Sequence, residues 1–121
     1  MKKTELLAPV GNKECLVAAI QAGCDAVYLS GKLYGARSFA GNFSNDEIVD
    51  AIKYSHLYGV KVYVTVNTLI YDAEVKNFIE YIEFLHNNNV DAIIIQDLGM
   101  YYYIKENFPD FENKIIEGEN L

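Results

Sequence analysis

The sequence predicts an α/β fold in which a parallel sheet is joined strand to strand through helices. Three observations carry this reading. Short segments that are apolar almost throughout recur along the chain, at Ala26–Leu29, Val60–Asn67 and Asp91–Gln96. Between them lie segments whose apolar residues follow helical spacing. A layout of helix cap, short turn and apolar strand also repeats. Gly23-Cys24-Asp25-Ala26-Val27-Tyr28-Leu29 matches Asn89-Val90-Asp91-Ala92-Ile93-Ile94-Ile95, and Gly59-Val60-Lys61-Val62-Tyr63-Val64 is a looser copy. Strands that are apolar without alternation are buried on both faces, as in a parallel sheet covered by helices.

Each element has its own reason. Glu5 to Ala8 reads as a short first strand. Lys13 to Ala22 reads as a helix with Leu16, Ala19 and Ile20 on one face, ended by Gly23. After the strand Ala26–Leu29, Ser44 opens a second helix. Ser44 with Glu47 makes a capping box, and Phe43 with Ile48 makes a hydrophobic staple. Ile48, Ala51, Ile52 and Ser55 line its inner face, and Gly59 stands where a left-handed cap is needed. The third strand, Val60–Asn67, is rich in β-branched residues. A third helix from about Ala73 to His86 places Val75, Phe78, Ile79, Ile82 and Leu85 on one stripe. The fourth strand is followed by a helix from Leu98 to Asn107, stopped by Pro109. The repeat suits one βα unit per copy. Four units make the N-terminal half of a TIM-barrel-like (β/α) barrel. The alternative is a small open doubly wound sheet.

Composition bounds the function. The 121 residues are 51% hydrophobic and 22% charged, the balance of one globular domain. The net charge of -7 gives no general attraction to nucleic acid. No apolar run approaches a membrane span, and Met1-Lys2-Lys3-Thr4-Glu5 lacks the apolar core of a signal peptide. A cytoplasmic protein with no membrane partner is expected. Cys15 and Cys24 fit no metal spacing and read as reduced, packed thiols.

The segment from Tyr28 to Ser44 is long for a strand-to-helix connection. It carries Gly31, Gly35 and Gly41, the cations Lys32 and Arg37, and the aromatics Tyr34, Phe39 and Phe43. Its Gly31-x-x-x-Gly35 spacing is not a phosphate loop, because the Gly-Lys-Ser/Thr ending is absent. His56 and His86 fall on helices away from the strand ends and read as solvent-facing. A Ser-His-Asp or Cys-His site within the chain is therefore not expected.

Several motifs occur in order along the chain: Glu5-Leu6-Leu7-Ala8-Pro9-Val10-Gly11-Asn12, Gly23–Leu29, Gly35-Ala36-Arg37-Ser38-Phe39-Ala40-Gly41-Asn42-Phe43, Val62-Tyr63-Val64-Thr65-Val66-Asn67-Thr68, and Asp91–Gly99. Together they resemble the N-terminal part of the collagenase-like peptidase family, the U32 peptidases, over about Glu5 to Pro109. The resemblance implies the first half of a TIM-barrel-like catalytic domain. It implies either peptidase activity, as the family name says, or prephenate-dependent hydroxylation of tRNA uridine or ribosomal RNA cytidine, as for several members. It also implies that a full-length protein is an enzyme and that RNA is a partner of that longer protein. The family's iron–sulfur cysteines would lie beyond this region, since Cys15 and Cys24 do not match them. The isolated chain is expected to be inactive, with no cofactor of its own. A half barrel has open sheet edges and an uncovered interior, so self-association into a homo-oligomer is expected, and a non-catalytic assembling half barrel is a further alternative.

Ligands of parallel α/β folds bind at the carboxyl ends of the strands. The candidates there are Lys32, Tyr34, Arg37, Asn67, Thr68, Gln96 and Asp97. Arg37 and Lys32 offer cations to a carboxylate or phosphate. Tyr34 offers a stacking face. Asn67 and Thr68 orient a ligand or tie down the loop. Asp97 is a general base or the N-cap of the helix from Leu98. No catalytic residue is assigned. The domain spans residues 1–111 and residues 112–121 read as a tail. Its end, Glu119-Asn120-Leu121, matches the start of a protease-cleavable tag linker, so 117–121 is set aside as tag-derived, with a natural tail as the alternative.

Overall fold

The computed structural model describes residues 4–31, 42–66, 75–95, 97–111 and 114–117. Five strands, β1 (Leu7–Pro9), β2 (Ala26–Ser30), β3 (Lys61–Val66), β4 (Ala92–Ile95) and β5 (Ile115–Glu117), alternate with four helices. The helices are α1 (Lys13–Gln21), α2 (Asn45–Leu57), α3 (Val75–Asn87) and α4 (Leu98–Asn107), and a 3-10 turn at Pro109–Phe111 precedes β5. All strand pairs are parallel and the sheet order is β1-β2-β3-β4-β5.

Sequential order decides between the two expected architectures. A doubly wound sheet reverses its strand order and carries helices on both faces. Here each strand lies beside its predecessor. The main core contains the alternate strand residues Val27, Leu29, Val62, Val64, Val66, Ile93 and Ile95 together with the buried side chains of all four helices, such as Leu16, Ile52, Ile82 and Ile104. The opposite face holds Ala26, Tyr63, Ala92 and Ile94 with Leu7, Tyr28 and Ile116 and, among the described residues, no helical residue. One face is thus covered by helices and the other lines an interior, which is consistent with a partial barrel. The doubly wound alternative does not hold.

The repeated sequence layout is a repeated hydrogen-bonding device. Gly23, Gly59 and Asn89 all adopt left-handed backbone, with φ of 91°, 71° and 66°. The next residue in each copy, Cys24, Val60 and Val90, donates its backbone N–H back to Ala19, Ser55 and Leu85. This is the Schellman closure, which satisfies carbonyls at the helix end. Asp25 and Asp91 then clamp the preceding strand. Asp25 Oδ2 accepts from Leu6 N–H at 2.8 Å, and Asp91 Oδ2 accepts from Val62 N–H at 2.7 Å. The middle copy has Lys61 instead, which pairs with Glu5 at 3.8 Å.

The capping box at Ser44 is formed on both sides: Glu47 N–H donates to Ser44 Oγ and Ser44 N–H donates to Glu47 Oε1. Phe43 and Ile48 are both buried in the main core, as a staple requires. The inner face of α2, Ile48, Ala51, Ile52 and Ser55, is buried. One expectation changes. Ile115–Glu117, grouped with the tail 112–121, is the fifth strand, with Ile93 opposite Ile115 and Ile95 opposite Glu117. The third strand is described as Lys61–Val66; Asn67, its expected last residue, lies outside the described residues. Among the described residues, no helix is long and apolar enough to cross a membrane.

Candidate functional site

Period-two alternation decides what the carboxyl rim presents. In β2, Val27 and Leu29 face the helices, so Tyr28 and Ser30 face inward; in β3, Val62, Val64 and Val66 face the helices, so Tyr63 and Thr65 face inward. The register pairs Tyr28 with Tyr63 and Ser30 with Thr65. The inner wall therefore carries a tyrosine pair with a hydroxyl pair above it at the carboxyl ends. Ser30 Oγ and Thr65 Oγ1 are hydrogen-bonded to each other, and Thr65 Oγ1 also donates to the Leu29 carbonyl at 3.3 Å. Both residues are half-buried. On the other side of Thr65 stands Ile94 of β4.

Gly31 closes the end of β2. It bridges Phe43 in parallel fashion, and Phe43 N–H donates to the Ser30 carbonyl at 2.9 Å. The chain thus leaves the sheet at Gly31 and rejoins it beside the same point. A Cβ on Gly31 would stand 2.2 Å from Tyr81 Oη and 3.1 Å from Ile48 Cδ1, so only glycine fits without displacement. Tyr81, buried on α3, forms the backing of the strand exit.

Of the expected site residues, Asp97 lies at this rim. Its carboxylate accepts from Met100 N–H at 3.0 Å and caps α4, the cap role of the two expected. Lys32, Tyr34, Arg37, Asn67, Thr68 and Gln96 lie outside the described residues. Ser30 and Thr65 were not among the candidates. The signal that finds them is the alternation of Val62, Val64 and Val66 against Tyr63 and Thr65, which singles out a polar residue on an inner strand face.

The amino-terminal end of the sheet is chemically different. Tyr63 Oη donates to Glu5 Oε1 at 2.8 Å. Burial, and then the neighbouring Glu5 and Asp91 carboxylates, push its phenol well above the ordinary range. His56 is not simply solvent-facing: its Nε2 lies 2.7 Å from Asp91 Oδ2. His86 is also engaged, its ring tilted against Phe111 at 5.0 Å between centroids and its Nε2 3.8 Å from Asp110. Both histidines nevertheless belong to the carboxyl ends of their helices, opposite the strand carboxyl rim, as the sequence predicts. A cleft of about 460 Å³ between α2 and α3, with Lys53, His56 and Asn88 in its lining, lies at this opposite end as well.

The thiols do not form a site together. Cys15 is exposed in the first turn of α1, whereas Cys24 is buried past the other end of that helix. Burial first, then the Asp25 charge, raises the Cys24 thiol. An iron–sulfur cluster takes four thiolates, and the chain has two cysteines. Among the described residues no group of three or more His, Cys, Asp or Glu could hold a metal ion. The residues present do not fit such a cluster.

Sheet order and one-sided helices define the class: a parallel α/β sheet of sequential βα units, consistent with a partial barrel. Residues 11–115 match the model of peptidase family U32, and the chain belongs to that family. It is 42% identical over 96 residues to a tRNA hydroxylation protein of Bacillus subtilis, covering 79% of this chain and 23% of that protein. It is 40% identical over 99 residues to an uncharacterized protease of Methanocaldococcus jannaschii, covering 82% and 24%. It is 39% identical over 98 residues to a 23S rRNA 5-hydroxycytidine synthase of Escherichia coli, covering 81% and 15%. The chain therefore spans a quarter or less of the length of these relatives. A solved U32 peptidase structure superposes with a TM-score of 0.69 at 10% identity, over 89% of this chain and 48% of the other, a likeness of fold.

Proposed function

We propose that this chain is the N-terminal half of a TIM-barrel-like catalytic domain whose parent protein hydroxylates RNA in the cytoplasm, on tRNA uridine or rRNA cytidine, with prephenate-dependent chemistry. The observation that carries the reading is the 42% identity to a protein named for tRNA hydroxylation. The site supports it. A peptidase of the serine or cysteine type needs a nucleophile within hydrogen-bond reach of a base. Among the described residues, both histidines stand at the end of the sheet opposite Ser30, Thr65 and the exposed Cys15. The inner rim instead offers neutral hydroxyls suited to a polar, uncharged ligand.

Peptide hydrolysis is the second reading, favoured by the identity to a protein named as a protease. Nucleoside mass spectrometry of tRNA and rRNA, from host cells with and without the parent gene, separates the two. Loss of a hydroxylated uridine or cytidine on deletion is the expected result. Unchanged nucleosides, together with peptide cleavage by the purified full-length protein, would overturn the proposal. Self-association belongs to the same proposal: β1 and β5 are the edge strands of the sheet, and this chain alone is expected to run as a dimer or larger species in light scattering.

A further inference from the structure

Ser30 and Thr65 form a polar island in a wall that is otherwise apolar or aromatic. Their inward-facing register neighbours are Tyr28 and Tyr63 below and Ile94 to the side. A wall built only to pack would place aliphatic residues at these positions, as the same two strands do on their helix-facing side with Val27, Leu29, Val64 and Val66. Hydroxyls half-buried in apolar surroundings are costly unless each finds partners.

Proton bookkeeping shows what the pair can still do. Each hydroxyl has one proton and two lone pairs. Thr65 can give its proton to the Leu29 carbonyl, with Ser30 then donating to Thr65, or it can give that proton to Ser30. In both arrangements the Ser30 oxygen keeps a lone pair, and it stands at the carboxyl end of its strand, where ligands of this architecture bind. A neutral O–H, which both donates and accepts, suits either arrangement. Tyr28, half-buried two residues further down β2, supplies an apolar ring beneath it.

We infer that the Ser30–Thr65 pair is a ribose-binding subsite, in which Ser30 Oγ accepts a hydrogen bond from a sugar hydroxyl of the RNA substrate. The inference rests on the RNA reading above and adds the group that is recognised. The 2′-hydroxyl is the group that distinguishes RNA from DNA, and a neutral acceptor on the inner wall is suited to it.

The test uses the full-length parent protein with uridine and 2′-deoxyuridine as probes, in equilibrium dialysis. The unmodified protein is expected to bind uridine roughly tenfold more tightly than 2′-deoxyuridine, the worth of one well-made hydrogen bond. Ser30→Ala removes the acceptor and Thr65→Val removes the hydroxyl that orients it; each is expected to erase that preference. Thr65→Ser, which keeps the hydroxyl, is expected to retain it. Equal binding of the two probes by the unmodified protein would overturn the inference without any variant. A preference that survives in Thr65→Val and Ser30→Ala, with only the melting temperature altered, would make the pair a brace within the wall and also overturn it. A ribose preference erased by both variants, in a protein whose gene deletion leaves RNA hydroxylation untouched, would uphold the subsite and sink the proposed reaction instead.

Discussion

At the amino-terminal ends of the strands, polar side chains are spent on holding the sheet together; at the carboxyl ends, they cap helices or face inward. Asp91 ties β3 to the turn before β4 and also meets His56, while Asp25 ties the start of β1 to the turn before β2. Glu5 accepts from Tyr63 and pairs with Lys61. At the other end, Asn12, Ser44 and Asp97 cap α1, α2 and α4, and Ser30 and Thr65 bond to each other within the inner wall. The difference teaches that polar groups brace the sheet itself at one end, while at the other they cap its helices and leave the Ser30–Thr65 pair facing inward. Barrel architectures divide their two ends in the same way.

The comparison can be broken most severely at Asp91. Asp91→Ala removes the acceptor for Val62 N–H and the partner of His56, and is expected to cost about 2–3 kcal/mol in urea unfolding. Asp91→Asn, which keeps an acceptor for Val62, should lose less. Equal losses for the two variants would show that charge, not the strand clamp, is what matters.

Next in size is the strand exit. Gly31→Ala drives a Cβ to within 2.2 Å of Tyr81 Oη and is expected to cost about 1–3 kcal/mol. Tyr81→Phe in the same chain removes the clashing oxygen and should recover most of that loss. A double variant no more stable than Gly31→Ala would place the strain elsewhere.

The cap at Ser44 is smaller. Ser44→Ala breaks the capping box and is expected to cost about 1 kcal/mol. If this cap at the carboxyl end also served a ligand, the loss would grow when ligand is present, which the same unfolding experiment with and without uridine would read.

Tyr63 sharpens the contrast through pH. Its folded-state pKa is raised, so the neutral phenol is favoured by folding. The contribution is whole below the ordinary tyrosine pKa of about 10 and is lost as pH rises beyond it, where the unfolded chain sheds the proton first. Stability is expected to decline more steeply above that pH in the unmodified protein than in Tyr63→Phe. Parallel slopes would remove Tyr63 from the account. The smallest effect is expected at Lys61→Met: the exposed pair with Glu5 at 3.8 Å should be worth less than about 0.5 kcal/mol and should vanish in high salt.

Much of this fold was legible because its signals are local. The capping box needs only Ser44 and Glu47 in the right order, and α4 ran from Leu98 to Asn107 as predicted, with Asp97 at its cap. The stripe Phe78, Ile82 and Leu85 is buried as its spacing required. Less legible was whatever depends on distant partners. Nothing adjacent to His56 in sequence announces Asp91, which lies 35 residues on. Ile115–Ile116 look like any short apolar pair until β4 offers a parallel edge. Tyr81 falls beside the main stripe of α3, and its place against Gly31 appears only once the helix lies on the sheet. The ordered family motifs marked the carboxyl rim in general, but of the residues chosen there only Asp97 lies within the described part, and it serves as a cap.

By itself, then, the sequence determined the parallel α/β class, the capping box at Ser44, the helix ends at Gly23 and Gly59, and membership of the U32 family. Each of these follows from residue types within a few positions of one another, or from their order along the chain. The tertiary structure alone decided that the strands run in sequential order with all helices on one face, that Asp25 and Asp91 clamp their neighbours, and that Ser30 meets Thr65 on the inner wall. The physical reason is register. Which residue of one strand faces which residue of the next is set by the packing of whole βα units, and a shift of one position would turn both hydroxyls into the helix-facing core.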